Sequence, residues 1–229
     1  MYTSILKLPV ENFYLEGEIS LPVKAESLII FSHGSGSSRF SARNNMVARE
    51  LHKAGFGTLL FDLMSNHEKE DYEKRFNMDL LTRRLVSITL WIYQHSEYTD
   101  LDLGYFGSGT GAATALRAAA KLDSMIKAVI SRGGRLDLVK DEELKEVKCP
   151  TLLIVGELDF HTLKVNRKAF KNMHCTKQLM VVPGASHLIE EPGKMKQVAK
   201  GAVTWYSKFL KEGTMDPSLE YELPGEDYS

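Results

Sequence analysis

Cysteine is scarce in this chain: its 229 residues contain only Cys149 and Cys175. One precedes an apolar run and the other sits in a linker, which excludes a disulfide-dense scaffold and leads us to expect a reducing, cytoplasmic setting. An excess of either charge is also lacking. Lys plus Arg number 29 against 30 Asp plus Glu, a formal net charge of −1. Neither nucleic acid nor a membrane surface is therefore expected as a partner. No apolar run approaches the ~18 residues that cross a bilayer, and the opening ten residues are too mixed for a secretory leader. The seven histidines show no metal-ligand spacing. There is no Walker A lysine, and no G-x-G-x-x-G fingerprint followed by a suitable acid, so no cofactor is expected.

What is present is ample apolar material, 43% of the residues, enough for one full core. Residues 1–211 read as a single domain. Residues 212–229 read as an acidic, flexible tail, because they carry six carboxylates and no Lys or Arg, with Pro217 and Pro224 as breakers. The alternation over residues 4–21 predicts a hairpin at a sheet edge. Beyond it, short apolar runs predict strands near 28–32, 58–62, 103–106, 128–131, 151–155 and 178–182. Helical patterning predicts helices over 42–54, 78–95, 112–122, 163–173 and 194–211. This alternation implies an α/β fold: a mostly parallel, doubly wound sheet with helices on both faces and ligands at the carboxyl ends of its strands. The 131–150 connection is too short for a cap domain. The charge-rich stretch 63–77 reads as a solvated loop or short helix.

Four segments fall at those carboxyl ends. Leu28-Ile29-Ile30-Phe31-Ser32-His33-Gly34-Ser35-Gly36-Ser37-Ser38 is a buried strand entering a Gly/Ser loop. Leu103 to Ala113 is a strand, a Gly-rich turn (Gly107-Ser108-Gly109-Thr110-Gly111) and the start of an Ala-rich helix. A strand ending near Gly156 is followed by Asp159, and another by Pro183-Gly184-Ala185-Ser186-His187. Strand–turn–helix is the context that gives G-x-S-x-G its meaning, with small residues two positions either side of a strained centre. Gly107 and Gly111 are those flanks, which puts Gly109 at the centre and Ser108 one place early. Centring the turn on Ser108 would set Phe106 on a crowded flank. Successive side chains at a strand end point to opposite faces, so Ser108 reads as the less favoured nucleophile. Neither cysteine lies at the turn.

The runs "FSHGSGSSRFSARN", "GYFGSGTGAATAL", "ISRGGRLDL", "CPTLLIVGELD" and "VVPGASHLIEEPG" resemble the α/β-hydrolase superfamily, and within it the dienelactone-hydrolase-like group, over roughly residues 27–210. The order turn, Asp, His is the triad order of that fold. The resemblance implies hydrolysis of a carboxylic ester, thioester or lactone. His187 would be the base and Asp159 its orienting acid, with the Ser35 and Thr110 N–H groups as oxyanion donors. Relatives typically read G-A-S-T-G at the turn, so the departure is at the nucleophile position, Gly109. Three readings stay open: a residual hydrolase in which His187 activates water, a non-catalytic protein binding a small acyl or anionic ligand, or an active enzyme altered at Gly109. His33, Arg39, Arg132 and Arg135 are expected on the same rim as candidate substrate contacts. Arg39, Arg132 and Arg135 each have pairing with a nearby carboxylate as the simpler alternative. The expected partner is a small molecule; oligomeric state is left open.

Overall fold

The computed structural model describes residues 1–210, so the acidic tail lies outside the described residues. One eight-stranded sheet organises them, in the order β1 (Tyr2–Val10), β2 (Phe13–Leu21), β4 (Gly57–Phe61), β3 (Ser27–Ser32), β5 (Asp102–Ser108), β6 (Ile126–Arg132), β7 (Thr151–Gly156), β8 (Lys177–Val182). β1 and β2 form the predicted edge hairpin, and β2 runs antiparallel to β4. From β4 to β8 every pairing is parallel.

Every residue of β3, β4 and β7 is buried, as a parallel strand covered on both faces must be. Alternation then sorts their side chains. Leu28 and Ile30 enter one core, while Ile29 and Phe31 enter the other. The second core lies under α1 (Ala42–Lys53) and α7 (Lys194–Leu210). The first lies under α3 (Met78–Gln94), α4 (Thr110–Leu122), α5 (Asp141–Glu146) and α6 (Phe160–Asn172). α4 packs deepest: Ala112, Ala113, Ala115, Ala118 and Ala119 are at most 1% exposed, because a methyl is all the space against the sheet admits.

The charge-rich stretch contains a 3-10 turn, Glu68–Glu70, and a five-residue helix, α2 (Tyr72–Phe76), capped by the Asp71 carboxylate. The β6–β7 connection contains only a 3-10 turn and α5, and no separate cap domain is present among the described residues. None of the described helices is long and apolar enough to cross a membrane. Strand order reverses between β3 and β5, because β3 leads to α1 on one face and β5 to α4 on the other; the crevice outside their carboxyl ends is where ligands bind in such sheets.

Candidate active site

Four strand ends frame that crevice. β5 enters its turn with Gly107 and leaves it with Gly111, and neither could carry a side chain. A Cβ at Gly107 would lie 2.4 Å from Ala112 Cα, and one at Gly111 would lie 2.1 Å from Ser32 O. Between them Gly109 holds φ 56° and ψ −124°, a conformation that L side chains adopt rarely. The turn is thus centred on Gly109. A Cβ there would meet only Gly34 Cα, at 3.8 Å, which is ordinary contact. The central position is therefore open where its neighbours are closed, and it carries no side chain. Its backbone is fixed by Gly109 N–H to Arg132 O at 3.1 Å and Arg135 N–H to Gly109 O at 3.0 Å. Ser108 is 4% exposed, a buried residue beside the turn's centre.

The residues expected as base and orienting acid, His187 and Asp159, are in contact. His187 Nδ1 lies 2.5 Å from Asp159 Oδ2, with the Asp159 carboxylate mostly buried and the imidazole half exposed. Asp159 also caps α6, accepting from Thr162 N–H at 3.2 Å. Burial would raise its pKa, but the Thr162 and His187 hydrogen bonds outweigh that and hold it below the usual value. The two loops are pressed together at Gly156, where a Cβ would lie 2.3 Å from Ser186 O. Ser186 N–H donates to Glu191 and Gly184 N–H to Glu157. Two residues past His187, Ile189 is fully buried at φ 58°, a costly conformation for a β-branched residue that fixes the exit of the loop.

Of the two expected oxyanion donors, Ser35 is already bonded. Ser35 N–H donates to Thr110 Oγ1 at 2.8 Å, so one expected donor is already satisfied by the side chain of the residue supplying the other. His33 is also committed: its Nδ1 lies 3.0 Å from Gly34 O and its Nε2 lies 2.7 Å from Asp62 Oδ1. Asp62 further accepts from Lys69 and from the Arg39 amide. Burial opposes its ionisation, yet His33, Lys69 and that amide hold its pKa far below the carboxylate range.

Of the arginines expected on the rim, Arg135 meets the turn through its amide, while the guanidinium groups of Arg39, Arg132 and Arg135 bond elsewhere. Arg39 places its guanidinium on Glu16 of β2, and Arg135 forks onto Asp137, two residues away. Arg132 is 8% exposed and reaches Leu188 O and Met195 beneath the histidine loop, with no carboxylate within salt-bridge distance among the described residues. Burial, with the Arg43 charge beside it, pushes its pKa down to about 10. Burial likewise pushes the Cys149 thiol up to about 12, which rules it out as a thiolate nucleophile near neutral pH. Residues 63–77 supply something the sequence reading passed over. Lys69 and Arg75 line a cavity beside the Ser35–Arg43 loop. Their only sequence signal was the charge density of that stretch. Among the described residues, no three His, Cys, Asp or Glu side chains are grouped as metal ligands.

Comparison with known proteins agrees with this fold. The model of the "Dienelactone hydrolase family" matches residues 15–212. The chain belongs to that family. A dienelactone hydrolase from Anabaena variabilis superposes with a TM-score of 0.87 at 41% identity, covering 91% of this chain and 98% of that one. Est1E from Butyrivibrio proteoclasticus shares the fold, with a TM-score of 0.76 at 14% identity over 89% of this chain and 98% of that one. A Mycobacterium tuberculosis protein named as a candidate phosphoribosyl transferase is 47% identical over 194 residues, 85% of this chain. This family member spans only 44% of that relative's length.

Proposed function

We propose that this dienelactone hydrolase family member keeps the frame of an ester or lactone hydrolase but lacks the covalent step. The observation that carries the reading is Gly109. It holds the nucleophile conformation, with room for a side chain, between glycines that have none. The pair His187–Asp159 is poised as base and orienting acid. Without a side chain at 109 no acyl-enzyme can form, which leaves water as the nucleophile. His187 takes a proton from that water and the hydroxide adds to the carbonyl carbon. The tetrahedral intermediate then expels the alcohol, which leaves with the proton from His187. The Thr110 N–H, at the start of α4, is the oxyanion donor that no described group occupies. The transferase name belongs to proteins of which this chain spans 44%, and nothing in the geometry argues for that reaction here.

Stopped-flow hydrolysis of p-nitrophenyl acetate tests this. A slow steady state with no burst is expected, together with no fluorophosphonate label on Ser108. A burst with Ser108 labelled would overturn the reading and make Ser108 the nucleophile.

A second reading, a binding protein with no turnover, is favoured by one contact. The Ser35 N–H that should meet the oxyanion is held by Thr110 Oγ1 at 2.8 Å. It is distinguished by the same assay: a rate at 1 mM ester that does not change when His187 is replaced by Ala.

A further inference from the structure

Beside the crevice, a cavity of about 610 Å³ lies between the Ser35–Arg43 loop, the 63–77 segment and Glu190. Its walls carry three cations, Arg43, Lys69 and Arg75, against the single carboxylate of Glu190. Arg43 pairs with Glu190, and Lys69 reaches Asp62 behind the wall at 2.7 Å. Arg75 has no carboxylate partner among the described residues. Its guanidinium stands 5.9 Å from the Tyr72 ring, with Nε buried and unbonded. Arg43 Nε is buried and unbonded too.

The floor of the cavity is the first turn of α1. Ser41 occupies its N-cap position but its side chain caps no amide, and the first turn contains no acidic residue. The uncapped N–H groups and the dipole at that end lie beside the cavity, whose one lining carboxylate, Glu190, is held by Arg43. Behind the Arg43–Glu190 pair lies Arg132, nine-tenths buried, its Nε also without a partner. Glu190 balances Arg43 and Asp62 balances Lys69, which leaves Arg75 on the wall and Arg132 behind it as two positive charges without a carboxylate among the described residues, beside the serine hydroxyls of Ser35 and Ser38 and an uncapped helix start. One carboxylate would neutralise half of that charge; a dianion would neutralise all of it.

We infer that this cavity binds a phosphate monoester of a small molecule, with Arg75, Lys69 and Arg43 on the phosphate and the α1 amides beneath it. The concavity and volume suit a small ligand in place of an extended surface partner. The claim goes beyond the hydrolytic reading and concerns binding alone.

Calorimetry of the unmodified protein at low salt, with phenyl phosphate and benzoate as probes, tests it. Phenyl phosphate should bind at least tenfold more tightly than benzoate. Arg75→Gln and Lys69→Gln should each weaken it about tenfold, the size of one charge-assisted hydrogen bond. Lys148→Gln, on a distant connection, should leave it unchanged. Amide resonances of Ala42, Arg43 and Asn44 should shift on titration of the unmodified protein, a readout that requires no variant to fold. Equal affinity for the two probes, equal affinity in Arg75→Gln, or unmoved α1 amides would each overturn the inference. Because no hydrolysis is read, failure here leaves the proposed function standing, and failure of the ester assay leaves this titration standing.

Discussion

Asp159 does two jobs with one carboxylate: one oxygen caps α6 through Thr162 and the other holds His187. Asparagine caps a helix about as well as aspartate, so Asp159→Asn should change stability by less than about 1 kcal/mol. It should still disable the base, because a neutral amide neither enforces the imidazole tautomer nor stabilises the imidazolium. In a Gly109→Ser background, Asp159→Asn should lower kcat by about three powers of ten or more. Equal kcat in the two proteins would mean that Asp159 is a cap and nothing else. At this scale the sequence was informative where backbone constraint left a mark. Glycines two places either side of position 109, and polar residues just past strand ends, located Gly109, Asp159 and His187. It was uninformative for arginines. Arg39 ends on Glu16, from a strand two places away in the sheet, and Arg135 on Asp137, two residues along the chain. A long side chain's partner is chosen in three dimensions.

Among elements, the strands and long helices were legible because burial on one or both faces imposes a period. Of the short helices, α5 was not, and α2 only as one of two alternatives for residues 63–77. α2 and α5 are five and six residues of mostly charged side chains, specified by end groups such as Asp71 and not by any apolar stripe. The 63–77 segment is nonetheless anchored. Arg84 of α3, 2% exposed, donates to both Glu68 oxygens and to Glu11 of the β1–β2 turn. The Arg84 hydrogen bond holds the Glu68 pKa down to about 2, against the desolvation that would raise it. A carboxylate with a depressed folded-state pKa stabilises above its ordinary value of 4.5, and that contribution is lost as pH falls toward about 2. Glu68→Gln leaves a buried guanidinium half-paired and should cost about 2 kcal/mol at pH 7, since Glu11 still compensates part of the charge. Urea unfolding of both proteins between pH 7 and pH 3 should show the gap narrowing below about pH 4.5. A gap that stays constant would assign the loss to packing and not to the ion pair.

At the scale of the whole molecule, sequence order foretold a parallel sheet but not which strands would be neighbours. The reversal between β3 and β5 is what brings the Ser35 loop against the Gly109 turn. The β7–β8 pairing brings the Asp159 and His187 loops together. The proposed function makes a sharp demand: supplying a side chain at position 109 should supply the chemistry. Serine at position 109 must adopt a sparsely populated positive-φ conformation, which costs about 1–3 kcal/mol. That is small against the roughly 5–15 kcal/mol that holds a domain folded, so the variant should fold. Steady-state and burst kinetics of Gly109→Ser on p-nitrophenyl acetate should show an acyl-enzyme burst and a rate about a thousandfold or more above the unmodified protein. A folded Gly109→Ser protein with neither burst nor rate increase would contradict the placement of the nucleophile position at Gly109.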